Sequence, residues 1–196
     1  MLLAAKDCDG IVHLAGVTRV VWGYKDPKKC WQHNVFGLNN IIKAANSFKK
    51  KPWVLFASSR EVYGQQIHFP VRENHCELMP INIYAKSKLA AENLFLDARE
   101  SGLLTGVVRL SSVYGDLLDH KTRVVPAYVQ AAAHRSPLII EGREEHYCDL
   151  THVSDLADAL YRFIKKLDAG EALPPIHLTS GIATSLVKLA NMAIDL

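Results

Sequence analysis

Three short apolar runs, separated by helical patterns, most constrain what this chain can fold into. They are Gly10-Ile-Val-His-Leu-Ala15, Trp53-Val-Leu-Phe-Ala-Ser58 and Thr105-Gly-Val-Val-Arg-Leu110. Each has the length of a strand and lacks the strict apolar/polar alternation of a strand with one wet face. Between the first two, Trp31, Val35, Leu38, Ile42 and Ala45 recur at steps of three and four, which predicts an amphipathic helix over residues 28–48, with Pro52 beyond it. Between the second and third, a helix is expected over residues 84–99, closed by Ser101-Gly102. Strands buried on both faces and joined by helices make an α/β fold with a parallel sheet.

Beyond residue 115 the pattern predicts helices over 124–134 and 153–167 and from 185 to the end. Strands are expected at 137–142, with a turn, and at 175–179. The 196 residues suit one domain with a small appendage. An apolar share of 49% and a charged share of 22% are ordinary for a globular protein; a net charge of +3 is too small to argue for nucleic acid and no basic block is interleaved with aromatics, so no nucleic-acid partner is expected. Lys49-Lys50-Lys51 reads as a solvated helix C-terminus. No apolar run is long enough to span a bilayer, and the first residues are too short for a signal peptide. Cys8, Cys30, Cys76 and Cys148 are scattered, as expected for reduced thiols of a cytoplasmic enzyme. Neither His75-Cys76 nor His146-x-Cys148 has zinc-site spacing, so no metal is expected.

In parallel sheets ligands bind at the carboxyl ends of the strands. Here those ends are Ala15-Gly16, Ser58-Ser59 and Leu110-Ser111-Ser112, all offering small or hydroxylic residues to a ligand. Tyr84 and Lys88 lie four apart on the expected helix and so face the same way. Tyrosine titrates near pH ~10, but an adjacent ammonium favours the phenolate and makes the residue a usable acid–base group. Asn34, within a helical pattern, is unfavourable by propensity and hints at a polar contact.

These motifs come in one order, and with it the chain resembles the NAD-dependent epimerase/dehydratase family of extended short-chain dehydrogenases/reductases. Asp9-Gly-Ile-Val-His-Leu-Ala-Gly16 is similar to the family's fourth strand, and Asn34-Val-Phe-Gly-Leu-Asn to the helix after it. Phe56-Ala-Ser-Ser-Arg-Glu-Val-Tyr-Gly64 is similar to the strand bearing the catalytic hydroxyl, which falls on Ser59. Tyr84-Ala-Lys-Ser-Lys88 matches the active-site helix, and Val108-Arg-Leu-Ser-Ser-Val-Tyr-Gly115 the segment beside the nicotinamide. Val124-Val-Pro126, Asp149-Leu-Thr-His-Val-Ser-Asp155 and Leu178-Thr-Ser-Gly181 follow in family order.

The resemblance implies a Rossmann-like sheet lacking its first strands. Residues 1–115 would form a partial NAD-binding domain, and 116–196 a substrate-binding region interleaved with the last Rossmann strand. It implies NAD as cofactor, NADP less so, a nucleotide-sugar substrate and a homodimer of the full-length protein. Catalytic roles fall on Ser59, Tyr84 and Lys88. Glu61 stands where 4,6-dehydratases and uronate decarboxylases carry an acid or base. Cofactor contacts fall on Ala15, Gly16, Asn34, Ser58, Tyr84, Lys88 and Leu110, and substrate contacts on Ser112 and Val125. The reaction would be epimerisation, dehydration or decarboxylation. An NADP-dependent carbonyl reductase is the alternative within enzymes. A catalytically silent binding or oligomerisation module is the alternative outside them.

Some positions depart from the family pattern. Ser112 stands for an asparagine and Cys148 for an arginine, both of which face the nucleotide diphosphate in the family; Lys121 or Arg143 would have to compensate. No glycine-rich phosphate loop occurs, and roughly 60 residues of the family pattern, about two βα units, have no counterpart before Met1. The expectation is a fragment of a longer enzyme with an apolar edge at 11–15, binding NAD weakly and turning over little by itself.

Overall fold

The computed structural model describes residues 2–74, 76–116, 118–140 and 146–195. The chain divides into two compact units, residues 1–110 with 160–178, and residues 111–159 with 179–196.

The first unit begins with a short helix, α1 (Leu2–Ala5), and strand β1 (Gly10–His13). Helices α2 (Val20–Lys25) and α3 (Pro27–Trp31) follow; a π-helical turn at Gln32–Phe36 then runs into α4 (Gly37–Asn46). Strand β2 (Trp53–Ser59) ends in a 3-10 turn, Arg60–Tyr63. After a long connection come α5 (Ile83–Glu100) and β3 (Thr105–Leu110). The unit is completed by the part of α7 (Val153–Asp168) from Leu160 onward and by β6 (Ile176–Leu178).

The sheet order is β1-β2-β3-β6, all parallel. Strand β2 lacks a polar face because both faces are covered. Val54 and Phe56 pack with Leu38, Ile41 and Ile42 of α4 and Ala91 and Phe95 of α5, whereas Leu55 and Ala57 pack with Phe163 and Leu167 of α7. Strand β1 lies at an edge of this sheet, with Val12 and Leu14 exposed. The register sets His13 beside Phe56 and Ser59 beside Leu110.

The second unit holds β4 (Ser112–Tyr114), α6 (Val124–Ala133), β5 (Tyr147–His152), the first residues of α7, β7 (Ala183–Ser185) and α8 (Leu186–Ile194). Strand β5 is central, parallel to β4 and antiparallel to β7. Tyr128 of α6 and Ala190 and Ala193 of α8 form a separate small core.

Several expectations need correcting. Residues 137–140 form no strand: Leu138 and Ile140 pack on the α6–α8 cluster while Ile139 is exposed, and none pairs with a strand among the described residues. The rest of that expected strand, 141–142, lies outside the described residues, as do His75 and Arg143. Strand β1 stops at His13 rather than Ala15. Helix α4 ends at Asn46, so Lys49, Lys50 and Lys51 lie past its last turn, and Lys50 pairs with Asp9 at 2.7 Å.

Candidate active site

The alternation of β2 places Ser58 on the face of Phe56, toward α4 and α5. Its Oγ is buried and has no hydrogen-bond partner among the described residues. Ser59 caps the 3-10 turn: its Oγ accepts from the Glu61 N–H at 3.2 Å and keeps its own hydrogen for another acceptor.

Helix α5 starts at Asn82, whose side-chain oxygen accepts from the Ala85 N–H at 2.8 Å. The Asn82 amide in turn donates to Glu61 Oε2 at 3.1 Å, and Arg60 lies 3.7 Å from Glu61 Oε1. Gly23 lets α2 press against this first turn, since a Cβ there would lie 3.1 Å from Ile83 Cγ2 and 3.2 Å from Tyr84 Cβ. Tyr84 is buried. One turn on, Lys88 is 4% exposed; its Nζ donates to the Ala57 carbonyl at 2.8 Å. Nζ lies 4.8 Å from the Phe56 ring centre and 5.9 Å from that of Tyr84. Among the described residues Lys88 forms no ion pair. Burial pushes its ammonium down to about 8, against the pull of Cys30 and Glu92.

Asn34 sits in the π-helical turn, a rare distortion that turns its side chain inward. Its Oδ1 accepts from the Val17 N–H at 2.8 Å; its Nδ2 donates to the Val17 carbonyl at 3.1 Å and to Ser87 Oγ at 2.9 Å. The amide therefore ties the turn after β1 to the helix bearing Tyr84 and Lys88. At Gly16 a Cβ would come within 2.6 Å of Asn34 Oδ1, so this clasp needs glycine. Ala15 and Gly16 are exposed, and Leu110 is half-buried beside Ser59.

One turn beyond Lys88, Glu92 grips Arg109 of β3 with both oxygens, Nη2 to Oε2 at 2.7 Å and Nε to Oε1 at 3.1 Å. Arg109 Nη1 also donates to Tyr63 Oη at 2.6 Å, and Tyr63 meets His177 Nε2 at 2.7 Å. Burial works against the Arg109 charge, but Glu92 outweighs it and holds the guanidinium pKa above its usual value. The motif reading gave none of these residues a role. The available signals were an arginine inside an apolar strand and a glutamate four residues after Lys88.

Ser112 and Val125 belong to the second unit; both are half-buried, and Ser112 stands opposite Leu150 in register. There the Asp149 carboxylate accepts from the N–H groups of Ser180 and Gly181 and from Ser180 Oγ, at 2.8–3.0 Å. Among the described residues no group of three or more His, Cys, Asp or Glu is arranged to hold a metal ion, and no helix is long and apolar enough to cross a membrane.

Helices thus cover both faces of a parallel α/β sheet, and a buried Tyr–Lys pair lies beside its serine-bearing strand end. The chain belongs to the NAD dependent epimerase/dehydratase family, whose model matches residues 1–176. It is 32% identical over 208 residues to a UDP-glucose 4-epimerase of Lacticaseibacillus casei, covering 98% of this chain and 62% of that protein. It is 30% identical over 197 residues to a GDP-6-deoxy-D-mannose reductase of Pseudomonas aeruginosa, covering 96% and 63%. The crystal structure of a UDP-glucose 4-epimerase from Brucella ovis in complex with NAD superposes with a TM-score of 0.84 at 25% identity, covering 97% of this chain and 63% of that one. The chain thus spans less than two thirds of the length of each.

Proposed function

We propose that this chain carries the acid–base part of an active site that oxidises a hydroxyl of a nucleotide sugar, as in an NAD-dependent epimerase or dehydratase. The observation that carries the reading is Lys88, a buried ammonium with no ion-pair partner among the described residues, one turn from Tyr84 and bonded to the strand that bears Ser58 and Ser59. Burying a charge without a counter-ion is costly, and such groups cluster at functional sites. The substrate class is supported by the relatives' names, a UDP-glucose epimerase and a GDP-6-deoxymannose reductase.

The donor set fits NAD. The unsatisfied Ser58 hydroxyl and the Lys88 ammonium suit a hydroxyl-rich ribose, and the exposed turn at Ala15 and Gly16 admits a ligand close to backbone. Tyr84 and Lys88 would hold the ribose, with Ser58 and the backbone of Ala15, Gly16 and Leu110 lining the cofactor and Asn34 positioning that turn. NAD, when bound, supplies the hydride acceptor. Tyr84 takes the proton from the sugar hydroxyl, Lys88 favours its phenolate, and Ser59 donates to the same oxygen. Glu61, oriented by Asn82, is the general acid or base of a dehydration.

The test is turnover of UDP-glucose with NAD, products being separated and weighed. UDP-galactose marks an epimerase, and loss of one water a dehydratase. Tyr84→Phe is expected to lower turnover by about 10²–10⁴-fold, the usual contribution of acid–base catalysis. Unchanged turnover in that variant refutes the role of Tyr84. A carbonyl reductase is the second reading, favoured by the 30% identity to the reductase; net consumption of reduced cofactor distinguishes it.

A further inference from the structure

His13 is the last residue of β1 and is 8% exposed. Two residues after Ile11, which packs against the α4–α5 core, it faces that same side of the sheet. Its ring stacks on Phe56, centroids 6.1 Å apart and planes 21° apart, and Lys88 Nζ lies over the same Phe56 ring. Its Nε2 is buried without a hydrogen-bond partner among the described residues, as is Ser58 Oγ two residues beyond Phe56. An imidazole with an unsatisfied nitrogen beside a buried cation is a poor structural choice, because an apolar ring would fill the space at lower cost.

We infer that His13 is a positioning residue for Lys88: its uncharged ring leaves Nζ as the one cation over Phe56, and protonating it sets a second charge there that works against the Lys88–Ala57 contact. The inference rests on the reading of Lys88 as the cation that serves Tyr84. The charged and titratable groups around the pair are Cys30 of α3, Tyr84 and Glu92 of α5, and the two residues themselves. Burial, and then the Lys88 charge, hold His13 below its ordinary value. The ring is therefore neutral at neutral pH and gains its proton only in acid. Asn34 and Ser87 nearby do not titrate.

The experiment is a ¹³C NMR titration of the His13 ring and the Lys88 Cε in the intact chain, which requires no turnover. His13 is expected to titrate below 6.5, with a second inflection of the Lys88 signal at the same midpoint. In Lys88→Met the His13 midpoint is expected to rise, because a like charge nearby is removed. A His13 midpoint at or above 6.5, or one unmoved in Lys88→Met, overturns the proposal. If Lys88→Met does not fold, the wild-type chain decides: a Lys88 signal with no inflection through the His13 titration overturns it equally. Because neither readout involves a substrate, failure here is distinguishable from failure of the enzymatic reading.

Discussion

Helix α5 buries a lysine and a glutamate one turn apart, and they are treated in opposite ways. Glu92 receives a two-pronged partner: Arg109 answers both carboxylate oxygens, and Tyr63 takes up another of the guanidinium donors. Lys88 receives a carbonyl and two aromatic faces but, among the described residues, no carboxylate within pairing distance. The consequence is a guanidinium held more firmly charged than usual and an ammonium pushed down to about 8. A charge that only had to hold α5 to β3 would resemble the first. A charge left short of counter-ion within a few pH units of neutrality suits the handling of protons.

Breaking each member tests the contrast. Glu92→Ala strands a buried Arg109 and is expected to cost about 3–5 kcal/mol in urea unfolding. If that variant loses less than about 1 kcal/mol, the pair is not the lock described and the contrast with Lys88 fails. Lys88→Met points the other way. Below pH 8 both folded and unfolded chains carry the ammonium and only the folded one bears the burial penalty, so removing it should stabilise the protein at pH 7. The limit set by a fall from 10.5 to about 8 is about 3 kcal/mol. In the native chain the same linkage makes stability rise as pH climbs from about 8 toward 10.5, where the unfolded state holds the proton and the folded state does not. Flat stability across that window contradicts the assignment.

Smaller effects sharpen the picture. Asn82→Ala removes the cap of α5 and the Glu61 contact, and is expected to cost about 1 kcal/mol. Ser58→Ala deletes a hydroxyl that makes no bond, so folding stability should change by less than about 0.5 kcal/mol, while NAD affinity falls. A loss of stability larger than that, with NAD affinity intact, would assign Ser58 to packing.

Much of this arrangement was legible in the sequence because it depends on local periodicity. Continuous apolar runs gave β2 and β3, and the four-residue spacing put Tyr84 and Lys88 on one face of α5. Strands β4 and β7 escaped because each has only three residues, and β5 because it is mostly half-buried and carries no continuous apolar run. Helix α2 escaped because its centre is Gly23, a poor helix residue kept for its contact with Tyr84. The run 137–140 was misread because an apolar stretch packing on helices resembles a strand until its lack of a pairing partner is seen. Propensity marked Asn34 as unusual, but only the structure shows that its amide is committed to Val17 and Ser87. His13 read as one more residue of an apolar strand; only the burial of its unpartnered nitrogen distinguishes it.

The most direct test of the central claim is the titration of the Lys88 amine in the folded chain, followed by ¹³C NMR at Cε. The midpoint is expected at about 8. A midpoint at or above the ordinary lysine value of 10.5 would mean that Lys88 is as well compensated as Arg109, and would contradict it.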